Sequence, residues 1–150
     1  MTSVFQQGIS QMRYLLAFLC LLFAVPATAQ DGARDVSHFL NAAVATSQSA
    51  GQGGGAQLWE GASPILKRSV TRDAFAKALA KRTAFGAVRA MDWSNVSHVR
   101  VTEPGRNLPM GEYVTVSLVW VNATNTVLKE QVSFVLDTDK VWRLCGYFLE

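Results

Sequence analysis

The residues able to do chemistry are few, and two of them share the final strand. Cys145 stands two positions before Tyr147 in "VWRLCGYFLE", residues 141–150. A cysteine nucleophile needs a neighbouring base and a lowered pKa. The two histidines, His38 and His98, lie far from it in sequence, and neither has an adjacent residue to orient its ring. A free cysteine without such a base is a small hydrophobe, so Cys145 reads as a packing residue. Were it exposed, it would be a candidate for an intermolecular disulfide.

Glu130 raises a sharper question. In "VLKEQVSFVL" strict alternation sets it among Leu128, Val132, Phe134 and Leu136, an otherwise apolar face. Burying a carboxylate is costly unless it is paired or protonated. Three readings stay open: a slipped register or bulge turns it to solvent, it forms a structural ion pair with Arg89 or Arg143, or it is a cavity acid that meets a ligand. Asp92, Trp93, Tyr113 and Tyr147 are the other residues that could line such a cavity. Acid–base catalysis there would need an acid and a hydroxyl converging on one substrate. Aromatic residues at strand spacing otherwise read as core. Zinc-ligand spacing, a serine nucleophile elbow, paired carboxylates and a dinucleotide fingerprint do not occur. No metal and no cofactor are expected.

The elements that must position these residues follow from period and punctuation. Asp35 to Ala50 repeats apolar residues at three and four, with Val36, Phe39, Leu40, Ala43 and Val44 on one stripe, which predicts an amphipathic helix. "GQGGGAQ" (Gly51–Gln57) reads as a flexible connection, since no strand precedes it and no Gly-Lys-Ser/Thr follows. Ser63 before Pro64 predicts an N-cap with proline at the first helical position. Thr71 caps the next helix, in which Phe75, Ala78 and Leu79 form the stripe and Gly86 is the stop. Lys77, Lys81 and Arg82 read as a solvated cationic face near its C-terminal end.

After Gly86 the period changes to two. "AVRAMDW" and "SHVRV" look like one strand, bent or bulged near Ser94-Asn95. "EYVTVSLVWV" puts Val114, Val116, Leu118 and Trp120 on one face. "VLKEQVSFVL" follows, and the last strand alternates Trp142, Leu144, Gly146 and Phe148 against Cys145 and Tyr147. Short turns join these runs, so neighbours are antiparallel, with the last strand expected inside the sheet. Helices first and strands after give an α+β class: N-terminal helices on a curved antiparallel sheet of about four strands.

The beginning of the chain speaks to location. "YLLAFLCLLFAV" (Tyr14–Val25) is uncharged, follows Met12-Arg13 and precedes the small-x-small site Ala27-Thr28-Ala29. That is a secretory signal, too short for a bilayer-spanning helix. Residues 1–29 are read as signal peptide and 30–150 as a single domain, periplasmic or secreted, with no stable membrane anchor after cleavage near Ala29. Cys20 sits within the apolar run rather than at its end, which excludes a lipidation site. With the signal removed Cys145 is the one cysteine, so packing rather than disulfides must carry stability. The net charge of +3 falls to about +2 and is scattered, so a nucleic-acid partner is not expected.

From Leu58 to Glu150 the sequence resembles the secreted bacterial family catalogued as domain of unknown function 4019. The segments that carry the likeness are "LWEGASPILKRSVTRDAF", "FGAVRAM", "PMGEYVTV", "KEQVSFV" and, most specifically, the Trp-Arg-x-x-Gly-Tyr-Phe ending in "VWRLCGYFLE". Two departures stand out: Ala90-Met91 occupies the region where a second arginine is common, and Cys145 replaces a small apolar residue. The resemblance brings no activity with it. It implies a layout similar to the cone-shaped nuclear transport factor 2-like or cystatin-like folds, in which a curved sheet wraps a helix.

The expectation for function is an exported, non-enzymatic module that binds another protein through a sheet face or edge. The alternatives are a binder of a small ligand between helices and sheet, and a small hydrolase or isomerase using Glu130, Asp92 or Tyr147.

Overall fold

Four helices precede four strands in the computed structural model, which describes residues 35–103 and 108–150. The expected signal and its cleavage site lie outside the described residues. Helix α1 spans Val36–Gly51, α2 Gly55–Glu60, α3 Pro64–Ser69 and α4 Arg72–Ala84. Strand β1 spans Val88–Val101, β2 Gly111–Asn122, β3 Val127–Leu136 and β4 Trp142–Leu149. The strands form one antiparallel sheet in the order β1-β2-β3-β4. The class is α+β, with the helices on one face of the sheet.

The helix starts are set by side-chain caps. Asp35 accepts from the Ser37 amide, Ser63 from the Ile65 amide at 3.2 Å with Pro64 behind it, and Thr71 from the Ala74 amide at 3.2 Å. Each satisfies an amide that the helix itself leaves unpaired. The glycine run is shorter as a connection than its composition suggests: Gly55 to Gln57 already belong to α2. A Cβ at Gly54 would lie 2.2 Å from Ser49 Oγ. The glycines therefore let α2 fold back tightly against the end of α1, and the loop is a packed turn.

Alternation in β2 and β3 holds without interruption, from Tyr113 opposite Val135 to Val121 opposite Val127. Val114, Val116, Leu118, Trp120, Val132 and Phe134 all face the helices and join Phe39, Ala43, Leu66, Phe75 and Leu79 in one core. The helices pack chiefly over β2, β3 and β4. β1 carries the expected irregularity, a register shift between Trp93 and Asn95. The rings of His98 on β1 and Trp142 on β4 are 6.4 Å apart although two strands separate them, so the sheet curls over its helical face.

β4 departs from expectation twice. It is an edge strand, and its alternation breaks at a bulge where the partner register shifts between Ser133 and Phe134. Leu144 lies opposite Phe134, Gly146 opposite Ser133, and Tyr147 opposite Val132. The extra residue, Cys145, inverts the pattern. Tyr147 therefore joins Trp142 and Leu144 on the core face, while Phe148, opposite Gln131, turns outward.

Candidate functional site

The chemistry of the chain concentrates around one carboxylate. Glu130 is 1% exposed, in a register with no slip and no bulge, and is walled by Leu118 and Val132. Its Oε2 accepts two hydrogen bonds, from Ser47 Oγ at 2.5 Å and from Trp120 Nε1 at 2.5 Å. Arg82 Nε lies 3.9 Å from the same oxygen and donates to Ser47 Oγ at 2.9 Å. Ser47 thus relays between cation and anion: its oxygen takes the arginine proton and its own proton goes to the carboxylate.

Each partner is delivered by a different element. Ser47 follows Phe39 and Ala43 on the buried stripe of α1, at successive spacings of four. Arg82 follows Phe75 and Leu79 on the buried stripe of α4, at spacings of four and three. It was expected on a solvated face but is 4% exposed. Its guanidinium lies 4.6 Å from the Trp120 ring centroid, a cation–π contact, and 5.7 Å from that of Phe85. The space for it comes from Gly51, where a Cβ would sit 3.2 Å from Arg82 Nη1.

Tyr147 closes the cluster from β4. Burial pushes its phenol pKa well up, and the nearby Glu130 charge adds to the shift. Its hydroxyl lies beside Glu130 and Ser47, but neither it nor Glu130 Oε1 has a partner in full hydrogen-bonding geometry. The phenol is therefore held neutral at ordinary pH, in the field of a carboxylate that a cation already balances. A general acid or base must reach its substrate within hydrogen-bond distance. Here α1, α4 and the sheet cover the carboxylate, so the arrangement ties two helices to three strands.

The expected ion-pair partners of Glu130 are elsewhere. Arg143 is bound to Asp137 at 3.0 Å and to Asp139 at 2.7 Å across the β3–β4 turn. Those bonds lower the Asp139 pKa to about 2 and raise that of Arg143. Arg89 is exposed on β1. Sequence reasoning missed Arg82, Ser47 and Trp120; the stripe positions of the first two were the available signal.

The sequence matches the model of a family over residues 42–147, described as protein of unknown function (DUF4019). The chain belongs to that family. No curated protein and no solved structure matches it. The DUF4019 match begins within α1, upstream of the stretch from Leu58 whose motifs carry the resemblance, and it takes in Ser47, Arg82, Trp120, Glu130 and Tyr147 alike.

The remaining candidates of this DUF4019 chain do not converge. Tyr113 and Asp92 lie on the sheet face away from the helices, opposite Val135 and Val119. Tyr113 is buried there and donates to the Pro109 carbonyl at 2.8 Å. Trp93 lies opposite Leu118, on the helical face but outside the cover of the helices. Cys145 is half-buried, and burial, followed by the charge of Asp137, pushes its thiol up to about 12 from an ordinary 9.0. That is the reverse of an activated nucleophile. Among the described residues no group of three or more His, Cys, Asp or Glu could hold a metal ion, and no helix is long and apolar enough to cross a membrane.

Proposed function

We propose that this chain is an exported, non-enzymatic module that binds a partner protein along the β1 margin of its sheet. The carrying observation is the exposure of large apolar side chains on that one strand: Met91 is 41% exposed, Trp93 48% and Val99 50%. Tryptophan is the residue most enriched at interface anchors. β1 pairs with β2 alone, and along its other side no backbone bond from a third element reaches it among the described residues. Asp92 accepts from the Trp93 amide at 2.8 Å just before the bulge. The continuous run beyond the bulge is Asn95–Val101, seven residues to which an extended partner segment can add as a fifth strand.

Site-specific photo-cross-linking in the cells that make the protein tests this. A photoreactive residue at Trp93 or Val99 is expected to give one discrete adduct, and the same probe at Phe148, exposed on the opposite edge, none. Adducts at all three positions, or at none, would overturn the proposal.

A second reading, a small-ligand binder, draws on one observation: Glu130 Oε1 and Tyr147 Oη are both buried without a hydrogen-bond partner, and interiors rarely tolerate that. Native mass spectrometry of residues 30–150 separates the two. A mass lost only on denaturation would favour the ligand.

A further inference from the structure

The sheet face turned away from the helices changes character along its length. Toward the β3–β4 turn its polar side chains find partners within the protein. Thr115 and Ser133 share a hydrogen bond at 2.9 Å, Tyr113 donates to the Pro109 carbonyl, and Arg143 holds Asp137 and Asp139. Toward the other end of the same face that pairing stops. Ser117 lies opposite Gln131, Val119 opposite Lys129, and Phe148 on β4 opposite Gln131. Lys129 and Glu150 exchange backbone bonds at 3.1 and 2.9 Å, which sets their side chains next to each other. Among the described residues, none pairs with the side chain of Ser117, Lys129, Gln131 or Glu150 by a hydrogen bond or ion pair.

These groups converge on a pocket of about 310 Å³. Half-buried Ser117 and Val119 lie at its floor, and Lys129, Gln131, Phe148 and Glu150 stand around it in solvent. Ser94, the residue at the β1 bulge, closes the far side. The Glu130 backbone borders the pocket, but the Glu130 carboxylate points the other way, to Ser47 on α1. Phe148 is 56% exposed, an aromatic ring left in water at the rim. The volume is at the small end of the range for ligand sites, and a few polar groups around an aromatic surface is their usual make-up.

We infer that this pocket binds a neutral saccharide, one sugar ring lying on Phe148 with its hydroxyls on Ser117, Lys129, Gln131 and Glu150. The donor set selects the occupant. A sugar ring has an apolar C–H face, which suits an exposed phenyl ring, and a rim of hydroxyls that donate and accept at once. Ser117 and Gln131 can each donate and accept, Lys129 only donates and Glu150 only accepts. Two neighbouring hydroxyls therefore satisfy the Lys129–Glu150 pair in opposite senses. A ligand of either charge meets one like charge in that pair, and Asp92, opposite Val119 on the same face, adds a second acid against an anion. A wholly apolar ligand would strip water from four polar groups and return no hydrogen bonds. The contacts are made by side chains, so β4 keeps its backbone bonds, and the site depends on neither the β1 margin nor the Glu130 cluster.

The test is an NMR titration of isotopically labelled residues 30–150 with neutral mono- and disaccharides of glucose, galactose, mannose and N-acetylglucosamine. At least one is expected to bind in the millimolar range, moving the backbone amides of Ser117, Val119 and Lys129 and the side-chain amide of Gln131, with the Trp120 indole unmoved. Phe148→Ala should weaken that binding by about tenfold, and Phe148→Trp should keep it. Gln131→Ala should weaken it too. The melting temperature should hold in all three variants, because these side chains stand in solvent. Binding of no sugar, or binding indifferent to Phe148→Ala, would overturn the inference. Shifts at the Trp120 indole instead would place the sugar at the Glu130 cluster and overturn it as well. So would a free amino acid that binds more tightly than every sugar, since that would make the Lys129–Glu150 pair a zwitterion site.

Discussion

The two edges of the sheet are built to opposite ends. At β4 the Ser63 amide donates to the Leu144 carbonyl at 2.9 Å, and its hydroxyl donates to Asp137 at 2.8 Å. The start of α3 therefore sits on the edge at the very bulge that turns Tyr147 inward. At β1 the helices give little cover: Val96 packs against the core, while Met91, Trp93 and Val99 stand in solvent. Exposed strand edges invite association, and chains protect the edges that must stay single. Cover by the start of α3 at Leu144 and the lack of such cover along β1 are the contrast on which the proposed docking at β1 rests.

The largest break in that comparison should come from beneath it, in the core that holds the helices away from β1 and over β4. Arg82→Met leaves Glu130 buried without its cation and is expected to cost about 3–5 kcal/mol of stability. Glu130→Gln should also destabilise by amounts on the order of 1–3 kcal/mol, because the cation is then unbalanced. Thermal melts check both, and an unchanged midpoint in either variant would contradict the structural role of the network. Next in size is Ser63→Ala, which removes an N-cap and the bond to Asp137 and is expected to cost about 1–2 kcal/mol. Hydrogen exchange should then quicken at Leu144–Tyr147 and stay as it is across β1.

A smaller effect comes from pH. The Cys145 and Tyr147 pKa values are both raised in the folded chain, so each group contributes stability that is complete below its unfolded value and is lost as pH rises toward the folded one. The window opens at about 9 for the thiol and about 10 for the phenol. The melting temperature should therefore hold to about pH 9 and fall above it, and Cys145→Ala should move the onset up toward pH 10. An onset that does not move in this variant would show that the bulge residue is not buried as described.

What the sequence made legible was the pattern of regular runs. The two-residue period of β2 and β3 gave the helix-facing core residues there and set Glu130 among them, because an unbroken alternation points a side chain only one way; it did not give Tyr113 and Val135, which are buried on the other face. What it hid were the places where one residue changes the rule. Cys145 inverts β4, and nothing local distinguishes a bulged cysteine from a paired one. Gly55 looked like loop because glycine is a poor helix former, yet the tight turn against Ser49 requires glycines beside it. Arg82 read as solvated because arginine is rarely buried; its partner lies 48 positions away on another element, a distance that periodicity does not span. The Glu130 site was thus visible from one side only.

The most direct test of the contrast between the edges is amide hydrogen exchange on isotopically labelled residues 30–150, first alone and then in extract of the cells that make the protein. The account predicts protection gained over Asn95–Val101 and none gained over Trp142–Leu149. Protection gained at β4, or unchanged exchange along β1, would contradict it.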